Sequence, residues 1–412
     1  MACNNRVAIV LGRDPGVRAD TDGAVVFVRQ MAREFKKRGC HVDIYTPIGY
    51  TGGSRMGAKA KEQKHAKSFV EGARIIRFDV PGIATPAYSK PGLEFINRIA
   101  VSLGEASYFS DKKLFGYDSV MLVHMAHTFG VVNAGLVPLE KTIVCPMLLG
   151  SYYSTYMAVP QAYIDIERET ISKLLHIQSP SRDEARALTG EYGASPGSVF
   201  IVPRGFDPAA FEPTMRRGVA SPKTPSILCA NVIRMQKNQH VFVPLALKLK
   251  KRGIEPLITL VGQNGGTHNR LYNDYAASME KMVLENGLAG NFRFVPPMSQ
   301  EELGILMHRC DISIVPSAAE TFGKSVLESM ASGMPTIAFK DIRAYSEFMD
   351  DGKSGLLVER DVGALADAVE ELAKDSSLYR SVSIQGIAAG RKFSWDNVMR
   401  TFYEEMKKRI FS

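Results

Sequence analysis

The sequence predicts an α/β fold of two doubly wound domains, each a parallel sheet covered by helices, facing across a cleft. Three observations carry this reading. Short apolar, β-branched runs alternate with segments of helical period through both halves of the chain. A stretch at 203–225 with prolines at 203, 208, 213, 222 and 225 has little periodicity and reads as a linker. The length, 412 residues, is enough for two separate cores.

The elements follow in order. Arg6, Val7, Ala8, Ile9, Val10 and Leu11 form an apolar strand that stops at a glycine-rich loop. Gly23 leads into 24–38, where Val25, Val28, Met31, Ala32 and Phe35 recur at helical spacing, and Gly39 closes that helix. Strands are expected at 41–45, 119–123, 142–146 and 174–178 in the first half. In the second half they are expected at 226–231, 257–262, 292–295, 312–316, 335–339 and 355–358. Continuous apolar runs of this kind suit a sheet covered on both faces. Ligands of such sheets bind outside the carboxyl ends of the strands.

Composition excludes several classes. With 45% hydrophobic residues the chain is no disordered tail, and no run reaches the roughly 18–20 apolar residues of a membrane span. The first ten residues do not read as a signal peptide, so a cytoplasmic location is expected. The cysteines at 3, 40, 145, 229 and 310 are widely spaced, indicating buried reduced thiols and neither disulfides nor a zinc site. A net charge of +8 permits an anionic partner without naming one, and no motif points to nucleic acid. The Gly- and Lys-rich stretch 51–67, with Arg55, Lys59, Lys61, Lys64 and Lys67, reads as a solvated loop, with an acidic-lipid or acceptor contact as the alternative; peripheral membrane contact has no further support.

The chemistry concentrates between Glu320 and Glu328. The strand 312–316 runs into Ser317-Ala318-Ala319-Glu320, and Thr321-Phe322-Gly323-Lys324-Ser325 opens a helix through Glu328. A helix amino terminus favours phosphate through its free N–H groups, and Lys324 adds charge. Seven residues separate the two carboxylates, too far for a local helical pair, so they grip different parts of one elongated ligand. Carboxylates accept from hydroxyls, which makes a sugar and a ribose natural partners.

The run Glu320-Thr321-Phe322-Gly323-Lys324-Ser325-Val326-Leu327-Glu328, continuing to Pro335, resembles the Glu-x7-Glu signature of retaining glycosyltransferases of family 4. Flanking segments match in order: 311–317 before it, 347–358 after it, and Val202-Pro203-Arg204-Gly205-Phe206-Asp207 between the halves, where Arg204 replaces the usual asparagine or proline. The resemblance implies a GT-B fold of two Rossmann-like domains. It assigns 1–205 to the acceptor, 206–388 to a nucleotide-sugar donor, and 389–412 to a helix crossing back to the first domain. It also implies metal-independent transfer with no cofactor beyond the co-substrate, a UDP- or GDP-sugar, to a small-molecule acceptor.

The same resemblance suggests residues. Ala19-Asp20-Thr21-Asp22-Gly23 is similar to the donor loop of sucrose-phosphate synthases, with Asp22 where a glycine is expected. Asp20-Thr21-Asp22 also spells the Asp-x-Asp of metal-dependent transferases, an alternative reading of that loop. Lys237 aligns with the lysine that neutralises the donor diphosphate. Val232 takes the place of the partner arginine, and Arg234 is the substitute if the strand continues and keeps it on the same side. His127 matches the histidine near the donor sugar and acceptor, with His124 as the alternative. Gly262 with 264–266 matches the loop after the second donor-domain strand, and Met298 ends the segment that holds the nucleobase. The expected sites are thus His127 and Glu320 for catalysis, and Gly23, Arg234, Lys237, Gly262, Met298, Phe322, Gly323, Lys324, Ser325 and Glu328 for the donor. Rival readings are a GT-B nucleotide-sugar epimerase or phosphorylase, or a non-catalytic sugar-nucleotide-binding module.

Overall fold

The computed structural model describes residues 5–12, 14–16, 23–48, 67–80, 93–147, 149–154, 157–215, 218–262 and 270–411. The chain divides into two compact units, Met1–Arg204 with Trp395–Ser412, and Gly205–Ser394. The expectations at 19–22, 51–66 and 264–266 lie outside the described residues.

The first unit holds β1 (Arg6–Leu11), β2 (His41–Ile48), β3 (Phe69–Val70), β4 (Ala73–Asp79), β5 (Ser119–Val123), β6 (Thr142–Cys145), β7 (Ile177–Ser179) and β8 (Val199–Ile201). Among the described residues they form one sheet in the order β3-β4-β2-β1-β5-β6-β7-β8. All pairings are parallel except β3 with β4. That hairpin turns at Glu71 and Gly72, both at positive φ (48° and 75°), the geometry of a two-residue primed turn. Alternate residues of the central strands enter two cores. Ala8, Val10, Val120, Leu122 and Val144 face one, while Val7, Ile9, Leu11, Met121, Val123 and Ile143 face the other. Burial on both faces explains why these strands read as unbroken apolar runs.

The carboxyl-terminal helix Trp395–Ile410 belongs to this unit. Its stripe of Trp395, Val398, Met399, Phe402 and Met406 is buried, and the Phe402 ring lies 6.0 Å from Phe27 and 6.4 Å from Phe35. Phe402→Ala should therefore destabilise this unit by about 3–5 kcal/mol, read as a shift in the urea midpoint. An unchanged midpoint would contradict the packing.

Three sequence expectations need correction. The strand expected at 174–178 forms instead at Ile177–Ser179. The helix Gln161–Ser172 runs on until Lys173 caps it, leaving Leu174 buried at its end. Strands β4 and β8 have no counterpart among the expected strands: Arg74, Arg77 and Asp79 break the apolar pattern of β4, and β8 is three residues long at the sheet edge. The stretch 203–225 is not a free linker, because from Gly205 onward it packs as part of the second unit. Phe206 pairs with Ser394, Phe211 is fully buried, and a Cβ on Gly304 would lie 1.9 Å from the Ala210 carbonyl oxygen.

Arg204 is a buried cation of the first unit, donating to Gln178 Oε1 at 3.2 Å and lying over the Phe27 ring at 4.2 Å. Nearby Glu184 is fully buried on the helix Arg182–Gly190. Burial pushes its carboxyl up to about 7, against the opposing effects of Arg204 and the Ser179 hydroxyl. The folded state thus holds this proton more tightly than the unfolded chain, where the ordinary value is 4.5. Its contribution is fully present below the unfolded value and is lost as pH rises through about 7. Stability of the wild type relative to Glu184→Gln should therefore fall between pH 4.5 and pH 7. Urea melts at several pH values check this; parallel pH profiles would refute it.

The second unit has β9 (Ser226–Ala230), β10 (Leu257–Val261), β11 (Phe292–Val295), β12 (Ile312–Val315), β13 (Thr336–Phe339) and β14 (Leu356–Val358). Among the described residues they form a parallel sheet in the order β11-β10-β9-β12-β13-β14. Phe242, Leu245, Ile314, Leu327 and Ile337 are fully buried in its core.

Candidate active site

Among the parallel strands of each sheet the order reverses direction once, between β1 and β5 in the first and between β9 and β12 in the second. Connections on either side of such a point diverge, leaving a crevice at the carboxyl ends of the two strands. Most of the predicted residues collect at these two places.

In the second unit, the loops after β9 and β12 are stitched together. Ala318 N donates to the Gln236 carbonyl at 2.7 Å, and Gln236 Nε2 donates back to the Ala319 carbonyl at 3.1 Å. These contacts bring Lys237 Nζ to 2.5 Å from Glu320 Oε1, which also accepts from Ser317 Oγ at 2.7 Å. Both charged side chains are only 12% exposed, so the pair is poorly screened. No donor among the described residues is bound at the other oxygen, Oε2. Cys229 lies beneath, its thiol pushed up to about 12 by burial, and so is no nucleophile at neutral pH.

The helix Lys324–Ala331 starts at Gly323, which has φ 96° and makes no side-chain cap hydrogen bond. A Cβ there would fall 2.3 Å from Cε1 of Tyr345, whose ring is fully buried, so glycine is required twice over. The Phe322 side chain is 1% exposed and packs on Phe348 at 4.9 Å, so only its backbone is at the helix start. Lys324 pairs with the buried Glu328 one turn on. A lysine at the positive end of a helix, with its glutamate on the carboxyl-terminal side, is the less stable orientation for both dipole and pair. Helix stability therefore does not account for Lys324. Ser325 Oγ accepts from Asn231 Nδ2 at 3.0 Å, tying this helix to the end of β9.

The remaining donor-site candidates line the same sheet edge. Gly262 follows β10, and a Cβ on it would lie 2.1 Å from the Asn231 carbonyl oxygen. Its N–H donates to the Val295 carbonyl at 3.1 Å, joining the ends of β10 and β11. Met298 is half-buried just before Ser299, which caps the helix Gln300–Arg309. Arg234 departs from expectation in one respect. β9 ends at Ala230, so period-2 alternation does not orient its side chain; Arg234 is the extended cap of the 3₁₀ turn Met235–Lys237.

In the first unit, Gly12 follows β1 beside the residues that follow β5. His127 is 4% exposed, and its Nδ1 lies 2.8 Å from Oε1 of the fully buried Glu105. A Cβ on Gly12 would sit 1.8 Å from His127 Nε2, so the ring rests against the glycine backbone. His124 takes φ 83°, uncommon for a side-chain residue, and its Nδ1 accepts from Ala126 N at 3.2 Å. The loop after β1 is anchored by Asp14, which accepts from Arg77 Nε at 2.6 Å. Gly23 opens the helix Gly23–Lys37, and a Cβ on it would meet nothing within 4 Å.

Sequence reasoning missed several supports: Ser317 under Glu320, Asn231 under Ser325, Gln236 between the loops, Tyr345 against Gly323, and Glu105 behind His127. Arg360 is another, donating to the carbonyls of Ser317 and Ala318 at 3.2 and 3.3 Å while paired with Asp341. Ser317 and Asn231 follow directly on apolar strands, which is a usable signal. Glu105 lies in an apolar helical segment, and nothing local ties it to residue 127.

Comparison with known proteins agrees with the architecture. Residues 22–205 match the family described as Glycosyl transferase 4-like domain, and residues 211–388 match Glycosyl transferases group 1. The D-inositol 3-phosphate glycosyltransferase of Paenarthrobacter aurescens (strain TC1) is 24% identical over 96% of this chain and 95% of its own. Among solved structures, sucrose-phosphate synthase (tll1590) from Thermosynechococcus elongatus superposes with a TM-score of 0.78 at 18% identity, covering 98% of both chains. Anabaena Alr3699/HepE, in complex with UDP and glucose, gives a TM-score of 0.71 at 14% identity over 98% of this chain and 100% of that one. Two parallel doubly wound units of this kind define the GT-B class of fold. The chain belongs to glycosyltransferase family 4, the retaining, nucleotide-sugar-dependent hexosyltransferases of that class. Among the described residues no helix is long and apolar enough to cross a membrane.

Proposed function

We propose that this enzyme moves a hexosyl group from a UDP-sugar, held by the second unit, to a hydroxyl of a small phosphorylated acceptor, held by the first. The observation that carries the donor half is the Lys237–Glu320 pair at the switch point, beside a helix start with no side-chain cap. The UDP and glucose bound to HepE support the choice of donor, and the inositol phosphate in the name of the curated relative supports the acceptor class. Reduced, buried Cys40, Cys145, Cys229 and Cys310 suit the cytoplasm, where we place the reaction.

In this reading the diphosphate docks on the amides of 322–325, with Lys237, Arg234 and Lys324 offsetting its charge. Glu328 accepts from the ribose hydroxyls, and Oε2 of Glu320 accepts from a hexose hydroxyl. Gly262 allows close approach of the backbone, and Met298 borders the base. The bond from C1 to the phosphate oxygen breaks as the acceptor oxygen bonds to C1 on the same face. The departing phosphate oxygen takes the acceptor proton. Negative charge grows on the diphosphate through this step, which is where fixed cations act most strongly. His127 borders the reacting sugar, and Gly23 contributes its amide to the donor.

The test is a panel of UDP- and GDP-hexoses incubated with phosphorylated and unphosphorylated polyols and sugars. Acceptor-dependent release of UDP, with the anomeric configuration of the donor kept in the product by NMR, is expected. Interconversion of the nucleotide sugar without release, or binding without turnover, would contradict the proposal.

A further inference from the structure

We infer that Glu105 is a positioning residue for His127: its carboxylate holds the imidazole in the Nδ1-protonated tautomer, with the Nε2 edge turned to the backbone of Gly12. The inference deepens the function proposed above, in which His127 borders the reacting sugar, and no comparison assigns Glu105 a role.

A carboxylate has only acceptor sites, so the 2.8 Å contact between Oε1 and Nδ1 places a hydrogen on Nδ1. In the neutral ring Nε2 is then the acceptor nitrogen. Burial argues that Glu105 is kept for this contact. It is 0% exposed, and its second oxygen has no hydrogen-bond partner among the described residues. A carboxylate removed from water and only half satisfied is a liability for stability, and an apolar side chain would serve the packing better. The helix Leu93–Tyr108 is otherwise fitted closely to the segment that carries His127. Ser102 Oγ accepts from Gly130 N at 2.8 Å, and a Cβ on Gly130 would lie 2.1 Å from the Ser102 carbonyl oxygen. Glu105 stands three residues further along the helix than Ser102, as His127 stands three residues before Gly130. Close contact at one point therefore fixes the carboxylate against the ring at the other. Gly12 closes the opposite side, since any side chain there would occupy the position of Nε2. The ring is held from two elements distant in sequence, as a group with a demanded orientation should be.

The test combines two readouts on the full chain. Histidine-selective 15N NMR of the ligand-free wild type should show His127 as the Nδ1–H tautomer. In Glu105→Leu the tautomer balance should move toward Nε2–H while the thermal midpoint stays level or rises. Transfer by that variant should lose about 10- to 100-fold in kcat with a much smaller change in donor KM, the size of effect known for orienting partners of histidine. Glu105→Gln, which keeps an acceptor oxygen, should restore the tautomer and part of kcat. An Nε2–H tautomer in the wild type, or a folded Glu105→Leu variant with wild-type kcat, would overturn the inference. If Glu105→Leu fails to fold, the wild-type spectrum and the Gln variant still decide. The NMR result needs no substrate, so failure of the proposed reaction is distinguishable from failure of this inference.

Discussion

Replacing Lys237 by alanine is expected to lower kcat by about 10²–10³-fold, the effect of removing one fixed donor from a developing anion. Two consequences add. The cation proposed to face the leaving diphosphate is gone, and Glu320 is left with Ser317 as its neighbour, a carboxylate no longer offset by Lys237. The loss should exceed that of a surface lysine because the pair is only 12% exposed on each side. Stability should fall by less than the roughly 3–5 kcal/mol that breaking a fully buried pair costs, since Glu320 keeps Ser317 and some water. Glu320→Ala should be similarly inactive. The double variant should lose much less than the product of the two single losses, because residues that act as a unit are not additive. Steady-state kinetics on the three variants measures this; wild-type turnover in either single variant would remove the basis of the donor site.

Gly323→Ala is expected to damage both stability and donor binding. The backbone at φ 96° costs a side-chain residue about 1–3 kcal/mol, and the new methyl would fall within 2.3 Å of a ring with no room to retreat. Relief requires moving the first turn of the helix Lys324–Ala331, whose amides are the proposed phosphate contacts. UDP affinity by calorimetry should therefore drop together with the urea midpoint. A variant that loses stability yet binds UDP as the wild type does would separate the glycine from the site.

Much of the proposed donor site is legible in the amino-acid sequence. Glu320, Gly323, Lys324 and Glu328 lie in one contiguous strand, turn and helix, and Lys237 follows closely on a strand, so local pattern is sufficient to find them. Arg234 shows the limit of such pattern: a continuing strand would orient it, and β9 ends four residues earlier. The stretch 203–225 shows another, because proline content alone does not reveal that Phe206 and Phe211 insert into a core.

The sequence by itself determined the class of fold, the alternation of strands and helices, and the family, because these follow from period, turn residues and contiguous motifs. Only the tertiary structure decided which side chains stand behind the proposed site. Glu105 reaches His127 across 22 positions, Ser317 and Lys237 meet on one oxygen of Glu320 from two loops, and Tyr345 dictates Gly323. The reason is physical: hydrogen bonds and steric contacts between distant segments depend on strand order and helix register, and those arise from the packing of the whole sheet rather than from any local run of residues.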